Sequence, residues 1–591
     1  MKAASLFAAC VLAKILVLAD RQVPMSAWTP LAYFWQDALV ALLLAALERG
    51  TRGQPWIAGS AFGFAIIYLA INVPLTRALS SPFTWQMSQA AGGALADSIR
   101  HYLTWANCGL IAVILLAGIL LPKVMQRFRP GVRAQRMGLL GSGVLITLGP
   151  FASMRVDCAG LDRSVYVAFV MSALPRVHLE PGNLEHMAWR VSPLTSGPSA
   201  PPTTPNLSRL RGSAARRNVV MVALESTGVR SLRCYGAADD PMPNLTRLAS
   251  TSLLFENVYS VSPESIKGLF SVLCSRYPAF DVSPAAWARV STPSLAQMFH
   301  QAGYRTGLFH SGRFMYLGME SVVRNRGFQV LEDAGAIAGN VQSSFGVDEP
   351  ATVQRALAWI DSLPRGEPFF LTYLPIAGHH PYATPEPGPF PEKDEHGQYL
   401  NALRYSDEAL GALWRGLNER ALGEQTLLVV YGDHGEAFGE HEGNYGHTQF
   451  LYEENVRVPC LMVAPGWLPS PMRVPGIWSL IDLAPTILDL VGIVVPPDYQ
   501  GISMLGARDQ MALFYTDYSL PLVGLRDGPW KFVHELGVPH SKLFHLIHDP
   551  AERTNLAAGD LTRVEAYRER LQRWSRAQKG QLTLEAETLF P

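Results

Sequence analysis

Five apolar stretches crowd the first 155 residues, at about 3–19, 32–47, 56–75, 104–122 and 137–154, and nothing comparable follows them. Each lies near the roughly 20 residues that an α-helix needs to cross a bilayer. Residues 110–121 carry no charge at all, which argues against buried helices of a large soluble core. A cleaved signal peptide would account for the first stretch and leave four unexplained. The expectation is an all-α membrane domain of about five transmembrane helices over residues 1–154, a multi-pass arrangement in the plasma (inner) membrane.

Basic loops set its orientation. Residues 123–136 (KVMQRFRPGVRAQR) hold five Lys or Arg and no acid, and with five spans they share one side with Lys2, Arg49 and Arg52. Positive loops stay cytoplasmic, so everything after residue 155 is expected outside, periplasmic or extracellular. Lys14, within the first stretch, either snorkels or faces the interior of the bundle. Residues 155–216 read as a connection whose Pro/Ser/Thr-rich stretch, 192–208, forms an extended linker.

The 49 basic residues balance 49 acidic ones, so no electrostatic surplus points to a nucleic-acid partner. Six cysteines without a C-x-x-C pair exclude a zinc ribbon and read as core residues. A single disulfide among Cys158, Cys234, Cys274 and Cys460 is the alternative in an oxidising compartment.

From Arg217 onward, short β-rich runs (218–224, 306–309, 368–374, 426–431, 460–463) alternate with helix-period stretches (295–302, 352–362, 405–417). That alternation predicts an α/β fold with a largely parallel sheet over residues 217–591. Binding sites in such sheets lie beyond the carboxyl ends of strands. Three runs end there in polar groups: 218–224 in Glu225, 426–431 in Gly432, Asp433 and His434, and 368–374 shortly before His379 and His380. Acids from two strand ends with an imidazole supply mixed oxygen and nitrogen ligands for a metal.

GDHGEAFGEHEGNYGHTQFLYEENVRVPCLMVAPG (432–466) resembles the metal-binding segment of sulfatases, members of the alkaline phosphatase superfamily. SLIDLAPTILDLVGI (479–493), GLRDGPWKFV (524–533) and LFHLIHDPAERTNLA (543–557) extend the resemblance in the family's order. It implies a sulfatase-like domain with a mainly parallel central sheet flanked by helices, and a C-terminal subdomain from about residue 510. Sulfatases oxidise a Cys or Ser to formylglycine within C/S-x-P/A-x-R. In SPESIKGLFSVLCSRYP (262–278), Ser265 stands at that position, followed by Ile266, Lys267, Gly268 and Leu269, with neither the Pro or Ala nor the Arg.

The N-terminal spans, linker and outer domain are similar to lipoteichoic acid synthases and related phosphoglycerol or phosphoethanolamine transferases. In that group an unmodified Thr is the nucleophile, and a strand-end L-E-S, here Leu224-Glu225-Ser226, carries the first metal ligand. By this resemblance Ser265 is the nucleophile and a metal ligand beside Glu225, Asp433 and His434. His379, His310 and His447 become substrate contacts, as does Arg313, around which the family's spacing is not reproduced. The implied cofactor is a divalent metal, manganese or magnesium, with calcium and zinc open. Its charge would lower the cost of ionising the serine hydroxyl.

Each residue also has a plainer reading. Ser265 suits an ordinary helix N-cap, Asp433 and His434 suit a glycine-flanked turn, and His380 and His441 suit structural roles. Lys267 either helps hold an anion or is solvated. The helix-period stretch at 561–579 packs on its own domain. The expected function is transfer of a phosphoglycerol or phosphoethanolamine type group from a membrane lipid donor to an envelope glycan or lipid acceptor through Ser265. The alternatives are a sulfatase-like ester hydrolase and a non-catalytic lipid-sensing relative, and the joint presence of Glu225, Ser265, Asp433 and His434 argues against the last.

Overall fold

A computed structural model describes residues 1–591 except 20, 22, 24, 91–102, 129–130, 179–188, 195–203, 340, 344–345, 470, 508–510 and 589–591. The Pro/Ser/Thr-rich core of the expected linker lies outside the described residues. Five N-terminal helices coincide with the apolar stretches: α1 (Lys2–Leu18), α2 (Thr29–Gly50), α3 (Pro55–Leu79), α4 (Trp105–Phe128) and α5 (Val132–Ser153).

Only α2, α3 and α4 are long and apolar enough to cross a membrane among the described residues. The expected five spans are therefore corrected to three candidates. Helix α1 has 17 residues, and α5 spends its first turns on Arg133 and Arg136. All five nevertheless form one bundle, with α1 packed on α2, α3 and α4, and α5 on α2. Lys14 faces its interior, where Nζ lies 2.8 Å from Asp37 Oδ2 and donates to the Tyr33 and Asp162 carbonyls.

The outer half is built on a nine-stranded sheet: β1 (Asn218–Leu224), β2 (Leu253–Tyr259), β3 (Arg305–His310), β4 (Val330–Glu332), β5 (Phe369–Leu374), β6 (Thr426–Gly432), β7 (Arg457–Val458), β8 (Cys460–Val463) and β9 (Met472–Ser479). Strands β2, β8, β6, β1, β5, β3 and β4 follow one another, and β7 and β9 also pair with β2. The pairings β6–β1, β1–β5, β5–β3, β3–β4 and β2–β9 are parallel, whereas β8 runs antiparallel to β6 and β2, and β7 antiparallel to β2. The sheet is mixed, parallel from β6 to β4 and between β2 and β9, and antiparallel where β8 and β7 enter.

Alternation along β1 explains its position in the middle of the sheet. Val219, Met221 and Ala223 enter one apolar core, and Val220, Val222 and Leu224 enter the other. A strand buried on both faces reads as a continuous apolar run. Helices cover those faces, among them α6 (Ser265–Cys274) and α7 (Glu349–Ser362). A second, four-stranded antiparallel sheet follows: β10 (Ala512–Thr516), β11 (Leu522–Asp527), β12 (Trp530–Glu535) and β13 (Ser541–His545). The last helix, α8 (Leu561–Thr588), sends Tyr567, Leu571 and Trp574 into the main core. All six cysteines are free thiols, four of them buried.

Removing one partner of a buried ion pair strands the other charge, which costs about 3–5 kcal/mol, whereas replacing both by apolar groups is often neutral. Asp37→Ala is therefore expected to lower the thermal unfolding midpoint of the detergent-solubilised protein more than the double variant Lys14→Met/Asp37→Leu. Equal losses would show that the pair contributes nothing to the bundle.

Candidate active site

Parallel strands β1 and β6 are hydrogen-bonded neighbours in register, Leu224 beside Gly432. The residues that follow them, Glu225 and Asp433, are therefore delivered side by side. Ser226 turns sharply with φ of 52°, and its N–H donates to Asp433 Oδ1 at 3.0 Å. The His434 N–H donates to the same oxygen at 2.7 Å. Gly435 is required next, since a Cβ there would sit 2.0 Å from the Glu454 carbonyl oxygen.

Helix α6 brings the serine. Ser265 is its first residue, and Glu264 at the N-cap makes no side-chain cap bond. Instead of capping its own helix, the Ser265 hydroxyl donates to Glu225 at 3.1 and 3.2 Å and lies 3.1 Å from His434 Nε2. The first-turn N–H groups of α6 point the positive end of the helix dipole the same way, an arrangement suited to an anionic ester.

Ligand atoms of Glu225, Asp433 and His434 all lie within 4.8 Å of one another. Burial and the adjacent Asp433 push the Glu225 carboxyl well above its usual range, and burial pushes the His434 imidazole down to about 4. Among the described residues, no Lys or Arg pairs with either acid. His434 Nδ1–H donates to the Gly435 carbonyl at 3.1 Å, which leaves Nε2 as a lone-pair donor toward Ser265. Two buried acids without a compensating cation and one neutral imidazole fit a divalent metal.

A ring of histidines adjoins the cluster. His447 stacks on His434 with centroids 4.1 Å apart, and His379 lies 6.2 Å from His447. His447 Nδ1–H donates to Glu436 Oε2 at 2.8 Å, and the Tyr382 hydroxyl donates to Oε1 at 2.8 Å. Burial works to lower the His447 pKa, but the Glu436 carboxylate prevails and raises it. Burial and then His447 lower that of His379. Gly378 lets the His379 loop lie against the cluster, since a Cβ there would meet the Glu225 carbonyl oxygen at 2.2 Å.

His310 ends β3, its Nδ1 3.0 Å from the Leu374 carbonyl oxygen and its ring stacked on Phe314; burial pushes its pKa down to about 4, and the charge of His379 adds to that. The Arg313 guanidinium lies 3.6 Å from where a Cβ on Gly335 would stand. His441 stacks on Tyr452 and pairs with Glu454 at 2.6 Å, a structural position. Lys267 is neither solvated nor available to an anion, being buried between Glu264, at 2.6 Å, and Asp517.

Two residues escaped the sequence reading. Glu436, three residues after Asp433, orients His447. Glu349, at the start of α7, is buried and accepts from Ser311, Tyr373 and the Ile376 and Ala377 N–H groups, which anchors the loop carrying His379.

Residues 217–493 match the family model described as Sulfatase, and residues 439–574 match that of the N-sulphoglucosamine sulphohydrolase C-terminal region. Residues 217–493 form a sulfatase domain. It is 28% identical over 235 residues to Arylsulfatase K of Mus musculus, covering 35% of this chain and 42% of that protein. It is 24% identical over 309 residues to the Lipoteichoic acid synthase-like protein YvgJ of Bacillus subtilis (strain 168), covering 49% of each. The chain thus spans less than half the length of either relative. The lipoteichoic acid synthase LtaP of Listeria monocytogenes shares the fold of this sulfatase domain, with a TM-score of 0.54 at 17% identity over 65% of this chain and 96% of that one. The domain is that of an enzyme family, and its candidate site is the cluster at the ends of β1 and β6.

Isothermal titration of the full chain with Mn2+ is expected to show one site per chain. Glu225→Ala and Asp433→Ala should abolish that binding. Glu436→Gln, which removes the carboxylate that holds His447 rather than one of the three ligands, should leave one site per chain. Wild-type affinity in Asp433→Ala would remove the metal from this cluster.

Proposed function

We propose that this protein is a membrane-anchored, divalent-metal-dependent transferase that moves a phosphoglycerol or phosphoethanolamine type group from a lipid donor to an envelope glycan or lipid acceptor. The observation that carries the reading is the Ser265 hydroxyl, at the start of α6, within 3.1 Å of both Glu225 and His434. The residues after it, Ile266 to Leu269, lack the Pro or Ala and the Arg of the formylglycine signature. Three helices long and apolar enough to cross a membrane support a donor that resides in the bilayer.

Ser265 gives up its proton to water, Oγ attacks the phosphorus of the donor diester, the bond from phosphorus to the diacylglycerol oxygen breaks, and that oxygen takes a proton from His447, which Glu436 holds with its pKa raised. An acceptor hydroxyl then passes its proton to His447 and attacks the phosphorus carried on Ser265, and Ser265 leaves and takes a proton back from water. A divalent cation held by Glu225, Asp433 and His434 would favour ionised oxygen and screen the ester's charge. Manganese or magnesium suits two acids and one imidazole. The outer domain then faces the periplasm or cell exterior, where the acceptor lies.

A second reading, hydrolysis of a sulfuric ester or phosphodiester, draws on the likeness to Arylsulfatase K and to the sulphohydrolase C-terminal model. Fluorescent phosphatidylglycerol with Mn2+ separates the two. Release of diacylglycerol that disappears in Ser265→Ala and survives in part in Ser265→Thr is the expected outcome. Turnover of a soluble aryl sulfate without any lipid turnover would replace transfer with sulfate hydrolysis. Chelation with EDTA should stop the release, and added Mn2+ should restore it.

A further inference from the structure

Between β10, which ends at Thr516, and β11, which starts at Leu522, the turn of the chain touches three separate parts of the molecule. Toward the nucleophile, Asp517 Oδ1 accepts from Lys267 Nζ, and the same ammonium donates to Glu264 Oε1 at 2.6 Å. Glu264 immediately precedes Ser265. Toward the histidine ring, the Thr516 hydroxyl donates to the carbonyl of Thr448, next to His447, at 2.6 Å.

Toward the N-terminal helices, Thr84 donates to the Tyr518 carbonyl at 3.0 Å, and Ser81 Oγ meets Ser519 Oγ at 2.6 Å. Arg163, in the segment after α5, donates to Ser519 Oγ at 2.6 Å and to its carbonyl at 3.3 Å. Arg176 donates to the Asp517 carbonyl.

Ser81, Thr84, Lys267, Asp517 and Ser519 are all buried. Buried polar groups of this kind are fixed by their partners, because an unmade hydrogen bond there carries the full desolvation cost. Displacing the turn from the membrane side therefore also displaces Asp517 from Lys267. The Glu264–Lys267 link, which spans the first turn of α6, then loses its outer anchor. The Lys267 ring contact, 5.3 Å from the Tyr515 centroid, adds a second attachment to β10.

We propose that the Thr516–Ser519 turn couples the membrane helices to the nucleophile, with Lys267 and Asp517 as positioning residues that hold the start of α6 in register with Glu225 only when Ser81, Thr84 and Arg163 are docked on the turn. The proposal rests on the reading of Ser265 as the nucleophile. Neither residue touches the reacting atoms. They act on catalysis through the backbone at Glu264 and Ser265.

The test uses the full chain in detergent and follows deuterium uptake of a peptide covering residues 262–270, with residues 426–432 of β6 as reference. Lys267→Met and the membrane-side double variant Ser81→Ala/Ser519→Ala are each expected to speed exchange at 262–270 by about tenfold while the β6 peptide stays at its wild-type rate. Lys267→Arg should return it toward wild type. With fluorescent phosphatidylglycerol, the same variants should lower kcat with KM little changed. Wild-type exchange at 262–270 in the folded double variant would overturn the coupling. So would a loss of thermal stability in Lys267→Met without local exchange, which marks a merely structural pair. If the wild-type protein turns over no lipid, the proposed donor fails, and the exchange comparison still decides the coupling.

Discussion

Two carboxylates held together out of water, without a positive side chain between them, are the constraint around which the outer half is organised. Such a pair is unfavourable by its own charge. It persists because the backbone gives it no choice. In-register pairing of β1 and β6 places Glu225 and Asp433 at adjacent strand ends, and amide hydrogens at Ser226 and His434 fix one oxygen of Asp433. What the strands impose, a divalent cation would relieve, so the cost of assembling the pair becomes affinity for the metal. The serine, the histidine ring and the glycines that admit their loops are all arranged relative to that point.

This dependence explains why the surroundings are so heavily cross-braced. Glu349 pins the His379 loop from behind, Glu436 and Tyr382 fix His447, and Lys267 ties α6 to the second sheet. Of these supporting groups, Glu436 also offers a ligand atom beside the cluster, within 4.8 Å of those of His434 and His447. They limit how far its members can move apart, and a reaction at a weak nucleophile tolerates little such movement.

Much of this was legible in the sequence, for identifiable reasons. The central strands β1, β5 and β6 are unbroken apolar runs because both their faces are covered, and their ends revealed Glu225, Asp433 and His434. Strand β2 was missed because Glu256 and Asn257 interrupt its apolar pattern. Strand β9 was missed because Pro475 and Gly476 sit at its bulge, residues that demote a run as a strand. The antiparallel β8 left no sign of its direction, so the sheet reads as more parallel than it is. Glu349 carries no signal in the sequence, and neither reading of Lys267, anion contact or solvated base, allows for its burial, since burial of a charge depends on partners far away in the chain. The five apolar stretches are each near the length of a span, but α1 closes after 17 residues and α5 begins with Arg133 and Arg136.

Lys14 has a further consequence for how the bundle holds together. Its ammonium on α1 and the Asp37 carboxylate on α2 are buried in contact, so each charge finds its counter-charge only on the other helix. Drawing the two helices apart would leave two opposite charges bare in an apolar surrounding at once. They are matched parts, and neither is complete alone.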